Sequence, residues 1–226
     1  MTAKEFAAAR GAELVESGMV LGLGSGSTAT LLVQALGRRL AAGTLTNIRG
    51  VPTSSAIAAV ARESGVPLST LDEDPVLDLD IDGADEVDPD LHLIKGLGGA
   101  LLWEKIVATA ARRLVILADA SKLVPRLGTK APLPVEVVPF GWKTHLAFLE
   151  SLGARPTLRS GPGGAPYVTD EGNYILDARF EGIADPRGLE RTLLSRPGVV
   201  GTGLFLGMAE QVIIGTEAGI TVKRRR

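Results

Sequence analysis

Residues 19–40 read MVLGLGSGSTATLLVQALGRRL, and this stretch decides the fold. Met19 to Leu23 is an apolar run of strand length. Gly24 to Ser27 is a glycine–serine turn, and Ser27 or Thr28 caps a helix that passes through Leu32 and Leu36 to about Leu40. A strand that turns through glycines straight into a helix is one half of a βαβ unit. Its turn amides, with the helix N-terminus behind them, form an anion site suited to phosphate. Two nucleotide-binding readings of the same glycines fail internally. A Walker A loop needs Lys-Ser/Thr after its last glycine, but Ser27 follows Gly26 directly. A dinucleotide fingerprint is formally present from Gly24 to Ala29, yet Thr46 to Val51 offers no acid to hold a ribose. The hydroxyls of Ser25, Ser27 and Thr28 favour a phosphate monoester; a tight turn with no ligand is the alternative.

Outward from this unit, strands and helices alternate. Thr2 to Glu16 reads as an amphipathic helix with Phe6, Leu14 and Val15 inward and Gly18 as its stop. Strands follow at Ile48–Val51, Val76–Asp82, Leu91–Lys95 and Leu114–Ala118, with helices from Thr53 to Glu63 and from Ala100 to Arg112. That alternation predicts an α/β fold with a doubly wound parallel sheet and ligands at the carboxyl ends of its strands. After Pro125 prolines punctuate short elements: Leu133–Val138, a helix around Trp142–Leu152, Ala154–Leu158, Tyr174–Phe180, a helix Pro186–Ser195 and Val199–Phe205. These predict a second, smaller α+β domain with an antiparallel sheet, while Gln211–Ile214 and Ile220–Val222 return to the first sheet. The domains expected are thus 1–128 plus about 207–226, and about 129–206.

Composition narrows the function. A formal net charge of −2 over 226 residues gives no basic field for nucleic acid, and the basic tail 223–226 reads as a solvated terminus. There is no cysteine, so disulfides and thiolate nucleophiles are excluded. No apolar run approaches the ~18 residues of a membrane span, and residues 1–20 lack a signal-peptide pattern, so a cytoplasmic location is expected. The two histidines, His92 and His145, stand alone, which leaves no His-based metal site.

The chemistry concentrates in IDGADEVD (81–88) and KGLGGALLWEK (95–105). Asp82 and Asp85 flank Gly83 and Ala84, whose small side chains leave room for a ligand; a turn whose aspartates cap local amides is the alternative. Lys95 ends a strand before Gly96, Leu97 and Gly98, where an ammonium can neutralise an oxyanion or simply pair with an aspartate. Glu104 lies in the following helix, where it also suits the N-terminal dipole. Lys122, after Ala118-Asp119-Ala120-Ser121, closes another strand. Two acids, a cation and a further acid at a helix start are suited to moving protons on a small polyol without metal or redox cofactor.

Together, GLGSGST, the DGAD turn, KGLGGA followed by Glu104-Lys105, the ADASK segment and LPVEVVP resemble type A ribose-5-phosphate isomerases, in order along the whole chain. The resemblance implies a Rossmann-like main domain, a homodimer or homotetramer, and metal-free interconversion of ribose 5-phosphate and ribulose 5-phosphate in the pentose phosphate pathway. It implies that Ser25, Gly26, Ser27 and Thr28 bind phosphate or adjacent hydroxyls. Asp82, Gly83, Ala84, Asp85, Lys95, Gly96, Leu97 and Gly98 line the sugar site. Glu104 is the implied base, with Lys122 and, more loosely, Lys4 as further contacts. Two rival classes share part of the pattern. An acyl-CoA transferase-like enzyme would use Glu104 as nucleophile, and a sugar-phosphate sensor would lack catalysis.

Overall fold

The computed structural model describes residues 1–225. In chain order the elements begin α1 (Ala3–Glu13), β1 (Val20–Leu23), α2 (Ser27–Ala41), β2 (Arg49–Pro52), α3 (Ser55–Glu63) and β3 (Leu79–Gly83). Next come β4 (Glu86–Val87), β5 (Leu93–Ile94), α4 (Leu101–Ala110), β6 (Leu114–Asp119), β7 (Leu133–Val137), α5 (Thr144–Ser151) and β8 (Arg155–Leu158). The last are β9 (Tyr174–Arg179), α6 (Pro186–Leu194), β10 (Val199–Thr202), β11 (Leu204–Phe205), β12 (Gln211–Thr216) and β13 (Gly219–Arg224). The chain divides into two compact units, one of residues 1–84, 103–122 and the chain from Gly207 on, the other of 85–102 and 123–206.

The first unit is built on a six-stranded sheet in the order β13-β12-β6-β3-β1-β2, parallel except for the β12–β13 hairpin. The chain leaves β1 for β2 on one side, then comes back to lay β3 on the other. The winding therefore reverses between β1 and β3, the place where an open α/β sheet leaves a crevice at its carboxyl edge. Leu21, Leu23, Leu79, Ile81, Val115, Leu117 and Ile213 pack with α1, α2 and α3 in one core. Val51, Leu77 and Val107 form another cluster. Burial on both faces explains the near-continuous apolar strands.

One pair of strands departs from that rule in a matched way. Along β1 and into the turn after it the sequence alternates Leu21-Gly22-Leu23-Gly24, and on β3 it alternates Leu79-Asp80-Ile81-Asp82, with Gly22 opposite Asp80. Both aspartates are fully buried. A Cβ on Gly22 would lie 2.5 Å from Asp80 Oδ1, and one on Gly24 would lie 2.2 Å from Asp82 Oδ1 and 2.3 Å from Asp82 Cα. Gly22 on β1 and Gly24 just after it are thus the space into which the acids of β3 fit.

The α1 helix starts with a capping box, Thr2 Oγ1 accepting from Glu5 N at 3.3 Å and Glu5 Oε2 from Thr2 N at 2.7 Å. It stops at Glu13, short of the expected Gly18, and buries Ala7, Ala8, Gly11 and Ala12, while Phe6 and Leu14 are only partly covered. Small residues let the helix come close: a Cβ on Gly11 would sit 3.0 Å from Leu117 Cδ2. Val15 is buried as expected.

The second unit holds a four-stranded antiparallel sheet, β10-β7-β9-β8, with Leu133, Val135, Val137, Leu149, Leu176 and Leu193 in its core. A second sheet, β11-β5-β4, is short and antiparallel. Here the expectation that Leu91–Lys95 joins the parallel sheet is corrected: β5 pairs with β4 and β11 instead. The expected strand Val199–Phe205 is broken at Gly203, where a Cβ would lie 2.3 Å from Lys95 O. The unit also takes in residues 85–102 and 123–128, which the expected boundary assigned to the main domain. Glu86 ties them together: its buried carboxylate accepts the amides of Gly128 at 2.6 Å, Ala131 at 2.7 Å and Lys130. Among the described residues no helix is long and apolar enough to cross a membrane.

Candidate active site

At the reversal point of the first unit, the turn after β1 meets the end of β3. Gly24 N donates to Ile81 O at 3.0 Å, and Ser25 N donates to Asp82 Oδ1 at 3.0 Å, an oxygen that also accepts Gly83 N. Two stretches that lie far apart in sequence, GLGSGST and DGAD, are brought together here.

The hydroxyl of Ser25 is 2.8 Å from Thr53 Oγ1 and 2.7 Å from Ser54 Oγ. Thr53 Oγ1 donates to Leu23 O at 2.9 Å. Each hydroxyl carries one proton, so Thr53 receives from Ser25, and Ser25 receives from Ser54. The Ser25 side chain is therefore spent on fixing the turn. At the start of α2 Ser27 is exposed and Thr28 half-buried.

That helix start is built for an anion. Its N-cap is Gly26 at φ 97°, no side chain caps it, and its first turn holds no acid. The leading amides of a 15-residue helix stay available, with the positive end of the dipole behind them. Lys4 Nζ donates to Ser27 Oγ at 2.9 Å. Asp119 ends β6; burial pushes its carboxyl up, but bonds from Ser121 and the charges of Lys122 and Lys4 outweigh this and hold it below the ordinary value. Lys4, Ser27 and Lys122 thus gather at the carboxyl edge of the sheet. Glu104 sits in the first turn of α4 and is 5% exposed.

The chain leaves the first unit between Ala84 and Asp85 and returns between Leu102 and Trp103, so the remaining expected residues belong to the second unit. There Asp85 N donates to Ile94 O at 2.8 Å, and Asp85 Oδ2 accepts Leu97 N at 2.9 Å. Lys95, 2% exposed, donates its amide to Gly203 O, and its Nζ lies 5.5 Å from the centre of the Phe205 ring. Gly96 is buried, while Leu97 and Gly98 are exposed at the crest of the loop.

A sequence profile described as ribose 5-phosphate isomerase A (phosphoriboisomerase A) matches residues 49–219. The chain belongs to that family. It is 56% identical to ribose-5-phosphate isomerase A of Roseiflexus castenholzii over 95% of this chain and 92% of the relative. It is 56% identical to that of Thermomicrobium roseum over 99% and 94%. A solved D-ribose-5-phosphate isomerase in complex with phospho-erythronic acid superposes with a TM-score of 0.97 at 42% identity, covering 99% of this chain and 98% of that one. The Methanocaldococcus jannaschii ribose 5-phosphate isomerase A gives 0.93 at 41% identity, with 98% of each chain covered.

Some neighbours of the site escaped the sequence reading. Thr53 and Ser54 passed as the start of α3, which is half their role, since Ser54 does cap that helix by accepting Ile57 N. Among the described residues no group of three or more His, Cys, Asp or Glu is placed to hold a metal ion. His145 is buried under Arg196, whose Nε donates to its Nδ1 at 3.0 Å. Burial and then the Arg196 charge hold its imidazole below the ordinary value. It serves the fold of the second unit.

Proposed function

We propose that this chain interconverts ribose 5-phosphate and ribulose 5-phosphate through an enediolate, as an isomerase of the pentose phosphate pathway that needs no metal. The observation that carries the reading is the uncapped start of α2 at the reversal point, joined through Ser25 N to the buried Asp82. It sets an anion anchor beside a carboxylate, which a sugar phosphate needs. The likeness to an isomerase complexed with phospho-erythronic acid supports it: the carboxylate of that four-carbon acid has two coplanar oxygens, as an enediolate does.

In this reading Ser27, Thr28 and the Gly26–Thr28 backbone take the phosphate, with Lys4 and Lys122 adding positive charge. Asp82 assists opening of the furanose ring. Glu104 removes the C2 proton of the open aldose, leaving the electron pair in the enediolate with its charge on O1; the O2 proton passes to O1, and as O2 becomes the ketone oxygen Glu104 returns a proton to C1. Lys95 and the amides of the Gly96–Gly98 loop stabilise the negative oxygen in between. Asp85 holds that loop and faces the sugar. Burial of Glu104 suits a base that meets the substrate directly and exchanges its proton with water only slowly, so partial retention of the substrate hydrogen is compatible with this route. A homodimer or homotetramer in the cytoplasm belongs to the same proposal and is tested by light scattering and fractionation.

Glu104→Gln keeps shape and polarity but cannot take a proton, so kcat is expected to fall by about 10²–10⁴ with little change in KM. A kcat within about threefold of the parent removes Glu104 as the base. Isomerisation in D₂O with EDTA should put deuterium into the product at an undiminished rate. Loss of activity to EDTA with recovery on adding a divalent ion, or complete retention of the substrate hydrogen, would count against the enediolate route.

A further inference from the structure

The loop from Lys95 to Gly99 turns on two glycines in the left-handed region, Gly96 at φ 96° and Gly99 at φ 91°, and Gly99 N closes it on Gly96 O at 2.9 Å. What holds its outer peptides is Arg159, just past β8. Its Nη1 donates to Gly96 O at 2.8 Å and to Leu97 O at 3.0 Å. Nε donates to Asp177 Oδ2 at 2.9 Å, and Nη2 donates to Asp177 Oδ1. The pair is mostly shielded, its side chains 11% and 19% exposed, and the guanidinium carbon lies 5.9 Å from the centre of the Tyr167 ring. Tyr167 also walls the loop from behind, since a Cβ on Gly99 would fall 2.1 Å from its hydroxyl.

A guanidinium locked by a bidentate carboxylate is a rigid fork, and here its free prongs grip two successive carbonyls. Peptide planarity carries the effect across the chain. Among the described residues no peptide is cis, so in each peptide unit the N–H points opposite to the C=O. With Gly96 O on Arg159, Leu97 N–H points the other way, where Asp85 Oδ2 receives it. With Leu97 O also on Arg159, Gly98 N–H is turned towards that same side.

We infer that Arg159 is a positioning residue for the isomerisation: it grips the Gly96 and Leu97 carbonyls and so aims the Gly98 amide at the oxyanion. This rests on the reading of residues 95–98 as the sugar site. Lysine cannot replace it, because one ammonium cannot hold two carbonyls and a bidentate carboxylate together.

The test uses Arg159→Ala, Arg159→Lys and, as a check on the loop itself, Lys95→Met. Each is assayed for kcat and KM on ribose 5-phosphate, with circular dichroism at the assay temperature. Removing an oxyanion donor costs about 10²–10³ in kcat, and misaiming one should cost part of that, about 10- to 100-fold in both Arg159 variants, with KM held within about threefold. Added ethylguanidinium should restore at least about tenfold to Arg159→Ala and leave the parent unchanged, which a purely structural role would not produce. A kcat within about threefold of the parent in either variant overturns the proposal, as does a loss that ethylguanidinium fails to restore. Parent-like kcat in Lys95→Met would instead sink the assignment of the loop to the sugar. Loss in Lys95→Met with full kcat in the Arg159 variants would sink the positioning role alone.

Discussion

Gly24→Ala puts the joint between β1 and β3 under load. The added methyl carbon would stand 2.3 Å from Asp82 Cα and 2.2 Å from Asp82 Oδ1. Carbon atoms in contact sit about 3.5–4.0 Å apart, so more than ~1 Å must be found. The Cα belongs to a strand held between β1 and β6 and cannot retreat. The ends of β1 and β3 must therefore part, stretching the Gly24 N to Ile81 O and Ser25 N to Asp82 Oδ1 bonds, each 3.0 Å, beyond hydrogen-bonding range. One neutral bond is worth about 1 kcal/mol, one to a carboxylate about 1.5–3 kcal/mol, and overpacking adds about 1–3 kcal/mol. Partial relaxation brings the expected loss to about 3–5 kcal/mol. Urea unfolding reads this as a midpoint lower by about 1–2.5 M for a slope of about 2–3 kcal/mol/M. Displacing the turn by about 1 Å should also lower kcat/KM by roughly 10². Gly83→Ala is the control for stability, since its Cβ meets nothing nearer than Ser25 O at 3.7 Å; it should cost under about 1 kcal/mol. If Gly24→Ala unfolds within about 1 kcal/mol of the parent and keeps its turnover within about threefold, the matching of glycine to buried acid is not what sets this joint.

Thr28→Val should raise KM for ribose 5-phosphate several-fold and hardly affect turnover of unphosphorylated ribose; equal effects on both sugars would make the turn purely structural. Glu136→Gln should stabilise the protein at neutral pH. Glu136 is 1% exposed on β7, with Thr169 and Asn173 both donating to its Oε1, and burial raises its carboxyl above the ordinary value of 4.5 despite those bonds. The folded chain then holds that proton more tightly than the unfolded one. Its favourable term is complete below the unfolded value and is lost as pH rises through the raised folded value. Urea unfolding at about pH 4 and about pH 8 should show the variant gaining on the parent at the higher pH; a variant less stable than the parent there would refute the assignment.

Much of the first unit is legible in the residues because its signals are local. The apolar run ending at Leu23, the glycine turn and the following periodic helix specify β1 and α2 without outside help. The second unit is less legible because distant partners define it. Leu91–Lys95 has the composition of a buried strand, but only Leu93 and Ile94 pair, and β11, more than a hundred residues on, decides in which sheet. Nothing near Gly203 announces that Lys95 O will press against it. The inward face of α1 was missed because alanines carry little hydrophobic weight, although close packing rewards them. The aspartates, Lys95 and Glu104 stand out as charges among apolar and glycine neighbours. Thr53, Ser54 and Arg159 do not, for their parts are set by atoms that only the fold brings near.

The place of β12 has a consequence for synthesis on the ribosome. It lies between β6 and β13, and α1 lies against it so closely that a Cβ on Gly215 would fall 1.8 Å from Ala3 O. Residues near the amino end therefore wait for residues past 210. Meanwhile β6, Leu114-Val115-Ile116-Leu117, presents an unpaired apolar edge while 123–206 are translated, on the order of ten seconds at ~5–20 residues/s. The nascent chain passes through a window in which that edge can recruit a strand from a neighbouring polypeptide. Its yield in a crowded cell is then governed by how fast the last two strands arrive rather than by how stable the finished sheet is.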